Sequence, residues 1–347
     1  MLALSATFLA SFAPSAHDGL VHAPRAGDEW TVRYTERSRQ DAVHLRIDSN
    51  GQVTDRTDYL LTLEHDATRT WTDEVVAEGA GRPARWTRTF GAIGHEVELD
   101  ILERNRPVRA SLSGSSDLTG RKITFDWNAD EERYGPDWAD ESDTDAELLG
   151  AVRPTPTFAE LLPPEGREEL TVGASWNPQA SALVEALQPS GPLSCAYPAI
   201  EGAEDPDLIA YTGALAISLA AGETDGEVTA TWQGVVPDSD GTLARIALEF
   251  ELESQSDVTD WMRAQCEPHA MAMVGKSAED ARVTSTLTGT GELVWNLAAR
   301  RFERMHLEAE SGFRLQLDFA FRIGDFEIAG DYALTTEGTT AVTLTTE

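Results

Sequence analysis

The chain has 347 residues, 41% of them hydrophobic, and carries 60 Asp and Glu against 27 Lys and Arg, for a formal charge of −33. That apolar content is enough for packed cores, and the length points to two domains of about 150 residues each. Self-repulsion on this scale excludes nucleic acid and an anionic membrane surface as partners, and it favours a cation or a basic protein.

Residues 1–23 read as a signal-peptide-like segment. The first sixteen are uncharged and mostly apolar or small, and small residues at Ala13, Ala16 and Ala23 offer cleavage points. The expectation is an exported protein, periplasmic or extracellular. No later stretch approaches the roughly 18 to 20 apolar residues of a membrane helix, so no transmembrane segment is expected.

Residues 24–134 read as an N-terminal antiparallel β domain. Trp30, Val32 and Tyr34 alternate with polar residues, as do Val43, Leu45 and Ile47, then Tyr59, Leu61 and Leu63, Val97, Leu99 and Ile101, and Ile123, Phe125 and Trp127. Asn50–Gly51 is the strongest hairpin signal, because both residues tolerate positive φ. Residues 135–190 form an acidic, Pro-rich connector. Short helices are predicted at Ala146 to Leu149 and Phe158 to Leu162, and after Pro178, where Leu183, Val184 and Leu187 make one apolar stripe.

Residues 191–347 read as a C-terminal antiparallel β domain with an insertion near 254–282. Alternation returns at Leu215 to Leu219, Val228 to Trp232, Ile246 to Leu252 and Leu293 to Leu297. Turns are predicted at Asp225–Gly226, Asp240–Gly241 and Gly324–Asp325, the last joining two long strands with one wet face. Two echoes link the halves. Gly27-x-x-Trp30 recurs as Gly173-x-x-Trp176, and Trp127-Asn128 with Arg133-Tyr134 recurs as Trp295-Asn296 with Arg301-Phe302. The fold expected is mainly β, two antiparallel sheet domains of curved or half-barrel form with a few short helices, and an internal duplication is one reading of the echoes.

The stretches TDEVVAEGAGRPARWTRTFG (72–91), TGRKITFDW (119–127), LTVGASW (170–176) and TGTGELVWNLAARRFERMHLEAE (288–310) resemble exported bacterial β-rich proteins of unknown function. The resemblance spans most of the chain after the leader and implies a paired β-sheet fold without known chemistry. A looser similarity of layout is to periplasmic carriers of lipoproteins and lipids.

Candidate chemistry is sparse. Cys195 and Cys266 are the only cysteines, and export permits one bridge between them, with two thiols as the alternative. Cys266, His269, Met271 and Met273 offer soft ligands for copper, set against ordinary packing of Met beside Trp261. Asp140, Asp143 and Asp145 lie in an acidic run that offers hard oxygens to calcium, without the spacing or central Gly of a helix-loop-helix site. No cofactor is predicted, and calcium and copper stay as weak candidates. His95-Glu96 begins a zinc-protease pattern but lacks the second His, and Gly289-x-Gly291 begins a dinucleotide fingerprint that Val294 ends. His44, His65 and His306 read as surface or hydrogen-bonded strand residues. Trp71, Trp86, Trp138 and Trp261 are out of clear phase, and one or two of them are candidates for a ligand surface.

No catalytic residues are assigned and no enzyme is expected. The role read from the chain is an exported, non-catalytic binding or cell-envelope module whose partner is an unknown protein or an apolar ligand. Two alternatives remain at this point: a periplasmic carrier of a lipid or other apolar ligand, and a carbohydrate-active enzyme using paired carboxylates.

Overall fold

The computed structural model describes residues 24–57, 61–79, 82–103, 106–131, 133–140, 145–152, 158–164, 170–187, 223–238, 241–260, 278–323 and 326–347, with Leu20, Pro189 and Arg263. The stretch Leu215 to Leu219 lies outside the described residues, and among those described the alternating stretches form thirteen strands. In chain order these are β1 (Glu29–Ser49), β2 (Gln52–Arg56), β3 (Leu61–Glu78), β4 (Pro83–Glu103), β5 (Arg106–Ser115), β6 (Lys122–Asn128) and β7 (Arg133–Trp138), then β8 (Ser175–Trp176), β9 (Glu223–Asp238), β10 (Gly241–Asp257), β11 (Ala278–Asn296), β12 (Arg301–Ile323) and β13 (Phe326–Thr346). Between β7 and β8 lie helix α1 (Ala146–Ala151), a 3-10 turn (Ala159–Leu161) and helix α2 (Ala180–Leu187).

All pairings are antiparallel, and they make one sheet where two were expected. Its order is β7-β6-β4-β3-β1-β13-β12-β11-β10-β9-β8, with β2 on β1 and β5 on β4. The join is the pairing of β1 with β13, which runs from Val32 opposite Thr346 to Ser49 opposite Gly330. The last strand therefore zips the two halves of the chain together, and their backbone groups satisfy one another along that ladder instead of ending at two edges. No ladder closes β7 onto β8 among the described residues.

The connector covers one face of this sheet, called the inner face below. Phe158, Leu161, Leu183 and Leu187 are buried there in one cluster with Trp30, Val32, Tyr34, Trp71 and Phe125 from the first half and Ala230, Trp232, Ile246 and Trp295 from the second. Helix α1 packs on β7 and α2 on β9, so the connector draws both edges of the curved sheet onto one core. The Trp176 indole donates to the Leu161 carbonyl at 3.1 Å and pins the 3-10 turn to β8. Asp145 caps α1, accepting from the Leu148 amide.

The two sequence echoes occupy matched places. Gly27 and Gly173 both have positive φ, +87° and +91°, and each opens a strand with the same exchange of backbone bonds. Gly27 donates to Val75, which donates to Asp28, while Gly173 donates to Trp232, which donates to Ala174. Trp127 pairs with Tyr134 and Asn128 with Arg133 in the β6–β7 hairpin. Trp295 pairs with Phe302 and Asn296 with Arg301 in the β11–β12 hairpin. Each Asn side chain accepts two loop amides.

Ladder registers tie the two echoes to each other. The path Trp30–Asp73–Arg88–Ile123 in the first half corresponds to Trp176–Ala230–Leu248–Gly291 in the second. Both paths end four residues before the Trp of the second echo.

Two sequence expectations change. Asp225–Gly226 is not a turn but lies inside β9, opposite Glu253 and Leu252. Gly226 has φ +141°, and a Cβ on it would collide with the Glu251 carbonyl, so the glycine serves a close strand approach. Trp71 and Trp86 belong to the core at 1% and 7% exposure and line no ligand surface. They enclose Arg88, and the Trp138 ring packs against the same core.

Candidate functional site

Mid-sheet, the inner face turns polar. Tyr34 and Glu36 project from β1, His65 and Arg69 from β3, and His95 from β4, alternate residues whose parity matches the apolar core above them. Arg69 lies opposite Tyr34, and His65 is diagonal to His95 across the β3–β4 ladder. The Tyr34 hydroxyl donates to Glu36 Oε2 at 2.7 Å and lies 2.8 Å from the Leu187 carbonyl at the end of α2. Glu36 Oε1 is 3.9 Å from His65 Nδ1, and His65 Nε2 is 3.0 Å from His95 Nδ1. Arg69 Nη1 reaches the Pro189 carbonyl at 3.4 Å, with its guanidinium over the Tyr34 ring.

Burial sets the electrostatics of this group. His95 is 5% exposed, and its Nε2 has no hydrogen-bond partner. Burial, with Arg69 and His65 nearby, lowers its pKa to about 3, so the ring is neutral at ordinary pH. Burial and the Glu36 charge push the Tyr34 hydroxyl well above its usual value, and Tyr34 stays a donor. Beside this group, Gln40 donates to Ser311 at 2.5 Å and accepts from Thr336 at 2.9 Å, closing the polar belt across β1, β12 and β13.

The other face carries the charge. A groove of about 820 Å³ crosses β3, β1, β13, β12 and β11, lined by Arg37, Arg39, Glu64, Asp66, Glu308 and Glu310. A second of about 680 Å³, sharing Thr288, continues over β10 and β9 with Asp225, Glu227, Glu251 and Glu253. Glycines crease the sheet here: a Cβ on Gly338 would collide with the Arg39 carbonyl, and one on Gly289 with the Glu308 carbonyl. At the β1 end the charges pair, Arg37 with Asp66 and Arg39 with Glu64, each at 2.9 Å. At the β9 end Glu227 lies opposite Glu251 and Asp225 opposite Glu253.

The residues predicted from sequence fare differently. Cys195, Cys266, His269, Met271, Met273 and Asp143 lie outside the described residues. Asp145 is the α1 cap, and Asp140 follows β7. Among the described residues no three His, Cys, Asp or Glu gather as a metal set. His44 binds Asp55 at 2.7 Å, and His306 binds Thr343 at 2.9 Å, as hydrogen-bonded strand residues. The meeting of His65 with His95 was not anticipated. Each sits on a recognisable strand, but only the β3–β4 register brings them together. Among the described residues no helix is long and apolar enough to cross a membrane, which says nothing of strands.

No family model matches the chain, and no curated protein does. Among solved structures it aligns with the β domain of the Bordetella autotransporter BrkA at 8% identity, covering 90% of this chain and 98% of that one with a TM-score of 0.16. It also aligns with OccK2 of Pseudomonas aeruginosa at 7% identity, covering 93% and 99% with a TM-score of 0.11. Scores this low carry no argument about the fold or role of this chain.

Proposed function

We propose that this protein is an exported, non-catalytic binding module that presents its acidic outer face to a basic segment of a partner protein. One observation carries the reading: like charges stand directly opposite each other along the outer grooves, Glu227 to Glu251 and Asp225 to Glu253. Cross-strand pairs of one sign destabilise a sheet, so a face built this way gains from a cationic partner. The formal charge of −33 would steer such a partner toward it. The carrier alternative finds less support, because Phe158, Leu161, Leu183, Trp71 and Trp295 already fill the connector-covered part of the inner face.

The test is calorimetric titration of the full chain with an oligo-arginine peptide at low and physiological salt. Binding should weaken with salt, and the double substitution Glu227→Lys with Glu251→Lys should weaken it by about tenfold, equivalent to 1.4 kcal/mol. Equal affinity for the charge-reversed variant would remove the outer face from the function.

A further inference from the structure

Strand β9 has one edge that its neighbour leaves mostly uncovered. Its ladder with β10 runs without a register shift from Trp232 to Glu223, but on the other side β8 pairs only with Ala230 and Thr231. Pro178, two residues beyond Trp176, has no N–H to extend the β8 ladder, and the chain turns into α2 instead. Among the described residues no strand lies alongside β9 between Glu223 and Thr229.

The direction of the backbone groups along this edge follows from one residue. The Trp232 N–H donates to the Ala174 carbonyl and the Trp232 carbonyl accepts from Gly173, each at 2.9 Å, so Trp232 turns both groups away from β10. In an antiparallel ladder that direction recurs at every second residue, which assigns it also to Val228, Gly226 and Thr224. Val228 is buried, whereas Asp225, Gly226 and Glu227 are exposed. The open part of the edge is therefore residues 224–227, where the N–H and C=O of Thr224 and Gly226 point past the end of the sheet.

The side chains beside this edge decide what it accepts. Asp225 and Glu227 point to the outer face, where Glu253 and Glu251 stand opposite them, and the groove of about 680 Å³ runs over these acids to Thr286 and Thr288. A strand added to β9 lies about 4.8 Å away and places alternate side chains on that face, beside Asp225 and Glu227. Lys or Arg at those positions meets the acids. The intervening side chains fall on the opposite face next to Gly226, which has no side chain to obstruct apolar ones. A second copy of this edge would set Asp225 and Glu227 against like charges, so pairing of two chains here is disfavoured.

We propose that the β9 edge takes up an extended basic segment of the partner protein as an additional antiparallel strand, joined through the backbone of Thr224 and Gly226 and selected by Asp225, Glu227, Glu251 and Glu253. The inference rests on the outer-face reading and names how the segment is held, by backbone pairing as well as by charge.

The experiment uses the full-length protein and a peptide of alternating Lys and Val in three forms: unmodified, N-methylated at every Val, and N-methylated at every Lys. In an antiparallel pair the peptide residues opposite Thr224 and Gly226 share their face, so these are the Val residues, and it is their N–H groups that point at β9. Calorimetry should show the Val-methylated peptide weakened by about tenfold or more, and the Lys-methylated peptide within about twofold of the unmodified one. Amide hydrogen exchange read by nuclear magnetic resonance supplies a second measurement, in which the Thr224 and Gly226 amides should slow by about tenfold or more with the unmodified peptide. Salt-dependent binding that ignores methylation at both sets and leaves those amides unprotected would overturn strand addition while leaving the outer-face reading standing. No binding by any of the three peptides would overturn both. Protection of both amides before peptide is added would mean that the chain itself already holds the edge, and would overturn the proposal.

Discussion

His95 shows what a single side chain contributes when the sheet closes over it. Its ring is neutral in the fold, with a pKa lowered from 6.5 to about 3 by burial, Arg69 and His65. The unfolded chain takes up a proton near pH 6.5 and the folded one does not, so the stability due to this residue is present above pH 6.5. It is lost progressively as the pH falls from 6.5 toward 3. A shift of that size corresponds to an upper limit on the order of 5 kcal/mol. Urea midpoints measured between pH 8 and pH 4 should therefore fall more steeply for the wild type than for His95→Gln. Parallel curves would mean that His95 titrates in the fold as it does in water.

Among the elements, the matched halves offer an internal comparison. In the first half Arg88 is fully buried and makes a two-bond pair with Asp73, Nε and Nη2 each at 2.8 Å, while Trp71 Nε1 donates to the same carboxylate. Burial pushes the Asp73 carboxyl up, against Arg88 and Trp71, which favour the ionised form. In the second half the corresponding positions are Leu248 and Ala230, so the same place in the ladder is built from apolar side chains. Removing one partner of a buried pair leaves an uncompensated charge, and Asp73→Ala should cost about 3 to 5 kcal/mol. The double variant Asp73→Ala with Arg88→Leu, which adopts the second half's solution, should be the more stable of the two by chemical denaturation. If it is less stable, the two sites are not equivalent.

Much of this level was legible in the chain. The alternation of Trp30, Val32 and Tyr34 named the inner face. Asn50–Gly51 named the β1–β2 turn, with φ of +52° and +78°, and Pro178 announced α2. Asp225–Gly226 misled because the pair that favours a turn also suits a strand where backbones approach closely. Trp71 keeps the odd-numbered alternation of β3 but is hard to place from sequence because its same-face neighbours Arg69 and Asp73 are charged, whereas Trp86 loses its phase because β4 carries an extra residue between Phe90 and Ile93 that switches its inward positions from even to odd. The His65–His95 contact was invisible, since it depends on a register between strands that no local pattern reports.

At the scale of the whole molecule, the decisive pairing is that of the first strand with the last. Charge and composition gave no sign that β13 would return to β1, and two separate sheets satisfied every local pattern equally well. Once they join, the connector lies across one face and supplies Phe158, Leu161, Leu183 and Leu187 to a core shared by both halves. An interior occupied in this way is what the proposed binding role of the acidic outer face requires. The distinction from a carrier is direct: a carrier retains a ligand of several hundred daltons inside, and a binding module does not. Native mass spectrometry of the protein isolated from its own host separates the two. The account predicts a chain with no apolar adduct, a bound metal ion being compatible with it, and a stoichiometric lipid-sized mass released on denaturation would contradict it.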